Sequence, residues 1–283
     1  MKRILLIVII AAAVLLIACF LFRNLFGEFA GIQKQALVSF HMGSGGDMNG
    51  SSHNIDVKAY DDSHALITVS GKDWYFKDPE ISEYLVDIAV LEEIRSVFLK
   101  YHMQNWDNKE FSKVFVADGA SYSYGFYFEE ASVGFSSQSY PYKYFKKLSE
   151  FDDIVSRYID SAELLPGLIL PERSDGEMAM AYMPDDGQIS LSVYEYSEGY
   201  LYYRVSNGTD ENIEIERGYV LRREGESEAV SEGGTSSYKW TIYAKRADDD
   251  SFELPSRLEP GKYSLTVDSL SCVFEIGFAD DAQ

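Results

Sequence analysis

The sequence predicts an α+β two-layer domain, an antiparallel sheet with two helices, followed by an all-β sandwich, both behind an N-terminal transmembrane helix. Three observations predict this. Lys2-Arg3 precedes an unbroken apolar run from Ile4 to Phe22, near the ~20 residues that cross a bilayer and longer than the ~7–15 of a cleaved signal's apolar region. Between Ala36 and Glu163, short alternating segments are interrupted by two stretches with apolar residues at three- and four-residue steps. Beyond Pro184 only the two-residue period of strands survives. The expected organisation is an anchor over 1–27, an α+β domain over 28–163, a linker over 164–184 and a sandwich over 185–283.

The anchor reading places the protein in the cell membrane as a single-pass, signal-anchored chain, its bulk extracytoplasmic and Lys2-Arg3 in the cytosol. Leu16-Ile17-Ala18-Cys19 resembles a bacterial lipobox, so Cys19 is the candidate lipidation residue if the chain is instead a lipoprotein. Phe20-Leu21-Phe22 continues the apolar run and favours the uncleaved span.

In the first domain, Ala36 to Phe40 reads as a strand and Gly43 to Gly50 as a Gly-rich turn. His53 to Tyr60 and Ala65 to Ser70 form a hairpin around Asp61-Asp62-Ser63. After Asp78-Pro79, the residues Ile88, Leu91, Ile94, Phe98 and Tyr101 make the inner stripe of a helix. Strands Phe111 to Ala117 and Ser121 to Phe128 flank the turn pair Asp118-Gly119, and Ser132 to Ser136 follows. Pro141 opens a second helix with Phe145, Leu148, Phe151, Val155 and Tyr158 inward. Prolines 166, 171 and 184 then interrupt every period, as a linker does. The sandwich strands are Ile189 to Tyr194, Tyr200 to Ser206, Ile213 to Leu221, Lys239 to Ala244, Gly261 to Asp268 and Ser271 to Phe278.

Composition excludes some partners. A formal net charge of −21 opposes nucleic acid and anionic lipid surfaces, because phosphate contacts need clustered Lys and Arg. Only Cys19 and Cys272 occur, so no intrachain disulfide framework is expected, and Cys272 in Leu270-Ser271-Cys272-Val273-Phe274 reads as a buried, inert thiol.

The C-terminal residues Tyr200 to Thr209, Trp240, Leu258-Glu259-Pro260-Gly261-Lys262-Tyr263 and Phe274-Glu275-Ile276 resemble a bacterial immunoglobulin-like domain. The resemblance implies an immunoglobulin-like sandwich in which Tyr263 buries its ring and bonds back to main chain. Phe40 with the Gly-rich turn, Trp106-Asp107, Asp118-Gly119 with Tyr122, and Pro141 resemble an uncharacterised extracytoplasmic domain of clostridial, Gram-positive surface lipoproteins. Neither family implies a catalytic residue.

Chemistry-bearing motifs are sparse. His41, His53, His64 and His102 lack metal-ligand spacing, although His41 and His53 flank the Gly-rich turn around Asp47. Asp185-Asp186-Gly187 and Asp248-Asp249-Asp250 are oxygen-rich but do not fit a calcium loop, and read as exposed acidic turns. No nucleophile elbow, Cys/His pairing or phosphate loop appears. Glu92-Glu93 and Glu129-Glu130 are adjacent rather than convergent. The expectation is therefore no catalytic, cofactor-binding or metal residues. The aromatic surplus, 21 Tyr and 17 Phe, suggests instead that Tyr on the helix-free sheet face stacks on sugar rings or anchors a protein. On these grounds the protein is expected to be a non-enzymatic, membrane-anchored binding protein whose partner is an envelope protein or glycan. An envelope enzyme or inhibitor with a site near Gly43 to Asn54, or a passive spacer, is the alternative.

Overall fold

The computed structural model describes residues 31–46, 50–72, 79–106, 109–110, 121–138, 144–169, 184–234 and 239–278. These are 55% strand and 16% helix, so the predicted α+β class is corrected to a mostly β protein. The residues that shift the balance are strands the sequence reading did not assign. In β4 (Glu80–Asp87), Ile81, Glu83 and Leu85 alternate with Ser82, Tyr84 and Val86 across the sheet. β16 (Arg246–Glu253) carries Asp248-Asp249-Asp250 in a strand rather than a turn.

The predicted transmembrane helix is corrected as well. Among the described residues no helix is long and apolar enough to cross a membrane. The two helices have 12 and 15 residues, α1 (Ala89–Lys100) and α2 (Phe145–Ile159), and both carry charged outer faces. On that finding the transmembrane, signal-anchor and single-pass extracytoplasmic assignments are corrected to the statement that no described helix supplies a span. The apolar run and Cys19 lie outside the described residues, as do the strand 111–117, the turn 118–119, Pro141 and most of the expected linker.

The first lobe is an eight-stranded sheet. Its strands are β1 (Leu37–Gly45), β2 (Ser52–Ala59), β3 (His64–Lys72), β4, β5 (Lys109–Glu110), β6 (Ser121–Phe128), β7 (Ser132–Ser137) and β8 (Glu163–Leu164). They run in the order β5-β7-β6-β1-β2-β3-β4-β8. Only the β5–β7 pair is parallel. Both helices pack on one face, where Phe40, Val57, Ile67 and Phe126 meet Leu91, Ile94 and Phe98 of α1 and Phe151 and Val155 of α2. Asp87 Oδ1 accepts the Ala89 N–H at 2.8 Å in the turn that leads into α1. Lys100–Glu150 and Arg157–Glu93, each 2.8 Å, tie the two helices together.

The second lobe has a separate core around Leu201, Tyr203, Val205, Leu221, Ile242 and Leu265. One sheet is β10 (Ile189–Ser197), β11 (Tyr200–Asn207) and β16, beside the pair β12 (Ile213–Glu216) and β15 (Lys239–Ile242). The other is β14 (Ala229–Gly233), β13 (Tyr219–Arg223), β17 (Gly261–Val267), β18 (Leu270–Gly277) and β9 (Gly167–Ile169), in that order. The Tyr263 ring is buried and its hydroxyl donates to the Glu259 carbonyl at 2.8 Å, closing the corner around Gly261 at φ 149°.

Within the described part of 164–184, Leu164 pairs with Tyr84 in the first sheet, and β9 pairs with β18 in the second. Among the links between the lobes is a buried carboxylate. Glu83 is 4% exposed, bonds Arg257, and accepts the Glu198 N–H at 2.8 Å.

Candidate functional site

Register brings together three polar side chains distant in sequence. β1 lies between β2 and β6, with His41 opposite Asp56 on one side and Gly125 on the other, and Gly43 opposite Asn54 and Ser123. Alternation turns Phe40 and Met42 toward the helices and His41 and Gly43 to the helix-free face. There, His41 Nδ1 is 2.8 Å from Asp56 Oδ1 and Nε2 is 3.3 Å from Ser123 Oγ. An ionised carboxylate only accepts, so Nδ1 carries the proton and donates to Asp56. In the neutral imidazole, Nε2 then accepts from the Ser123 hydroxyl. The His41 and Asp56 side chains remain 29% and 42% exposed.

Two strand glycines shape this surface by leaving room rather than by unusual backbone angles. A Cβ on Gly43 would stand 2.4 Å from Asn54 Oδ1 and 3.1 Å from His41 Nε2, so both side chains lie down over residue 43. A Cβ on Gly125 would stand 3.0 Å from Tyr127 Cε2 and 3.1 Å from its hydroxyl, so the Tyr127 side chain folds back over residue 125. Tyr127 is 47% exposed there. The result is a flat shelf across three strands: an aromatic ring beside a hydrogen-bonded row of His, Asp and Ser, with an amide alongside.

The row has the connectivity of a nucleophile, a base and an orienting carboxylate. Its setting differs from that of an acyl-transfer site. Ser123 is mid-strand between β1 and β7, where the backbone N–H groups are committed to the ladder and are not turned toward a developing oxyanion.

The other sequence candidates separate. His53 lies opposite Ser44, on the face away from His41, and lines a cavity of about 130 Å³ with Tyr122, Tyr124, Leu148 and Asp152. The pair flanking the Gly-rich turn therefore does not converge, and Gly43, expected in that turn, is in strand β1. His64 is taken up by Asp61 at 3.0 Å in the hairpin turn. Asp248, Asp249 and Asp250 accept from Trp240 Nε1 at 2.7 Å, Arg204 Nε at 2.7 Å and the Tyr203 hydroxyl at 3.3 Å. Asp186 closes its own turn by accepting the Gln188 N–H at 2.9 Å. Among the described residues no group of three or more His, Cys, Asp or Glu is placed to hold a metal ion. A groove of about 420 Å³ in the second lobe is lined by Leu191, Val193, Cys272 and Phe274. Burial pushes the Cys272 thiol up to about 11.

The sequence reading did not single out Asp56 or Ser123, and reached Tyr127 only among the Tyr residues of the helix-free face. The available signal was the glycine inside each of two apolar-alternating strands, which marks a close approach of something to the backbone. No protein-family model matches the chain, and no curated protein and no solved structure matches it either.

Proposed function

We propose that the protein is a non-enzymatic binding protein and that the shelf around His41 is its contact surface. The observation that carries this is the pair Gly43 and Gly125, which lets the half-buried His41 and Asn54 and the exposed Tyr127 lie flat on a rigid sheet. Groups held in a plane by strand backbone lose little conformational freedom on binding, which favours recognition. The second lobe, with a core of its own and a buried tether at Glu83, serves in this reading as the support that holds the shelf's flank. Its corner at Tyr263 and its two facing sheets support the immunoglobulin-like assignment.

The test is a photo-crosslinking amino acid placed at Tyr127 in the full chain, with Tyr243 in the second lobe, 64% exposed, as the control position. Adducts formed in cells at residue 127 and not at residue 243 support the shelf as the contact surface. Equal or absent adducts refute it.

The Asp56–His41–Ser123 row favours a second reading, a serine hydrolase. A fluorophosphonate probe that labels the wild type and not Ser123→Ala would establish it; absence of Ser123 labelling eliminates it.

A further inference from the structure

We infer that the shelf binds a neutral, β-linked oligosaccharide with equatorial hydroxyls, an inference that rests on the contact surface proposed above and names its ligand. The argument begins with shape. An aromatic ring lying along a sheet offers a flat apolar face, and a pyranose with equatorial hydroxyls offers the matching object, a patch of axial C–H groups on one side with polar groups around its rim. Tyr127 supplies the first over Gly125.

The rim needs acceptors and donors in the same plane, because each sugar hydroxyl is both. Next to the ring, across the strand from Gly125, stands His41, and beyond it the Asp56 carboxylate, the Asn54 amide and the Ser123 hydroxyl. The His41 bonds to Asp56 and Ser123 fix these groups before a ligand arrives. Fixed planar carboxylate and amide groups can each meet two neighbouring hydroxyls, which a flexible Lys or Glu side chain does less well.

Charge decides which saccharide. Asp56 sits in the row, Lys58 on the same strand face is paired with Glu198 at 3.5 Å, and the whole chain carries −21. A uronate, sulfated or phosphorylated chain would meet repulsion, since Lys58, a described cation on this face, is already paired. Openness decides its length. The shelf is a surface crossing β2, β1 and β6 rather than an enclosed pocket, so it suits several residues of a chain passing across it more than one engulfed sugar.

A protein partner fits less well. Protein interfaces concentrate energy in a desolvated apolar centre, whereas here one aromatic stands among short polar side chains such as Ser39, Ser123 and Ser136.

The test is saturation-transfer NMR on the full chain with cellotetraose and tetra-N-acetylchitotetraose, and tetragalacturonate as the anionic control. Transfer to ring protons of a neutral sugar is expected, and none to the uronate. Gly125→Ala retains every polar group of the row but puts a Cβ 3.0 Å from the Tyr127 ring. It should weaken binding roughly tenfold, as should Tyr127→Ala, while Tyr127→Phe stays within about threefold. Unchanged amide spectra outside the shelf verify that the variants fold. Failure of both neutral sugars while residue 127 still crosslinks specifically overturns the saccharide and leaves the contact surface standing. Failure of both experiments removes the surface too. Sugar binding untouched by Gly125→Ala and Tyr127→Ala also overturns the inference, because the ligand then sits elsewhere.

Discussion

Replacing Glu83 with Ala is expected to destabilise the protein by about 3–5 kcal/mol, the range for breaking a buried charge pair on one side. Among the described residues Glu83 is the one buried carboxylate, 4% exposed, and it holds two groups of the second lobe. Arg257, 20% exposed at its side chain, would keep its charge without the carboxylate. The Glu198 N–H, now 2.8 Å from Glu83 Oε1, would lose its acceptor. A backbone N–H that loses its acceptor costs at most about 1–3 kcal/mol, less where water reaches it as at the part-buried Glu198, so the uncompensated Arg257 charge carries most of the stated range. Urea unfolding followed by tryptophan fluorescence measures it, with Trp106 in the first lobe and Trp240 in the second. The double variant Glu83→Leu/Arg257→Leu removes both charges and should recover most of the loss, because the desolvation of the pair disappears with it. A loss below about 1 kcal/mol for Glu83→Ala would refute the reasoning by showing that the pair carries no net weight.

Four further outcomes follow from the same structure. Asn207 is fully buried; its Nδ2 serves the carbonyls of Glu211, Ile242 and Tyr243 and its Oδ1 accepts from Thr209, so Asn207→Ala should cost about 2–4 kcal/mol in urea unfolding. Asn207→Asp should cost more at neutral pH and less in acid, since an ionised carboxylate would face those carbonyls with no donor. Phe40→Ala should cost about 3–5 kcal/mol, because Phe40 is fully buried with ring centroids 5.1 Å from Phe126 and Phe151. Cys272 is half-buried rather than fully buried as expected, and its alkylation by iodoacetamide at about pH 8 should be slow in the fold and quicken on unfolding, since a thiol pushed up to about 11 is about one part in a thousand ionised there.

The acid limb is the remaining expectation. The Arg157 hydrogen bond holds the Glu93 carboxyl below its ordinary value, and Lys100 with Tyr101 does the same for Glu150. Depressed carboxylates stabilise the fold above their unfolded value, near about 4.5, and lose that contribution as pH falls through the folded one. Thermal melts between about pH 6 and 3 should show a fall that is shallower in Glu93→Gln/Glu150→Gln; an equal slope would place the acid sensitivity elsewhere.

Both helices were legible in the sequence because their periods are long and clean: Leu91, Ile94 and Phe98 in α1 and Leu148, Phe151 and Val155 in α2 are buried as their spacing predicts. β4 was not, since its apolar residues run directly into those of α1 and only Asp87, whose carboxylate accepts the Ala89 N–H, marks the boundary. β16 was hidden by three consecutive Asp, residues depleted in strands; Arg204, Trp240 and Tyr203 supply the partners that override the propensity. The row at His41 was illegible for a different reason. Its members are separated by 15 and 82 residues, and a slip of one residue in either strand pairing would turn them to opposite faces. Register is a tertiary outcome that local periodicity does not contain.

Composition across the helix-free face argues that its uncovered part is maintained as a surface. On β3 and β4, Leu66, Thr68 and Glu83 point to that face and are buried, and Glu83 meets the second lobe. On β2, β1 and β6 the same face carries Asp56, His41, Gly43, Ser123, Gly125 and Tyr127. Leu66 suits a covered site and is costly in water, whereas glycine in a strand interior weakens the sheet wherever nothing needs the space. The sequence thus changes character at the strand where cover ends, and the destabilising choice, glycine, stands in neighbouring strands under side chains that lie flat. A sheet needing only solubility on its open side would take Thr or Lys at residues 43 and 125 at less cost in stability. Gly43 and Gly125 are therefore better explained by what lies over them than by the fold they belong to.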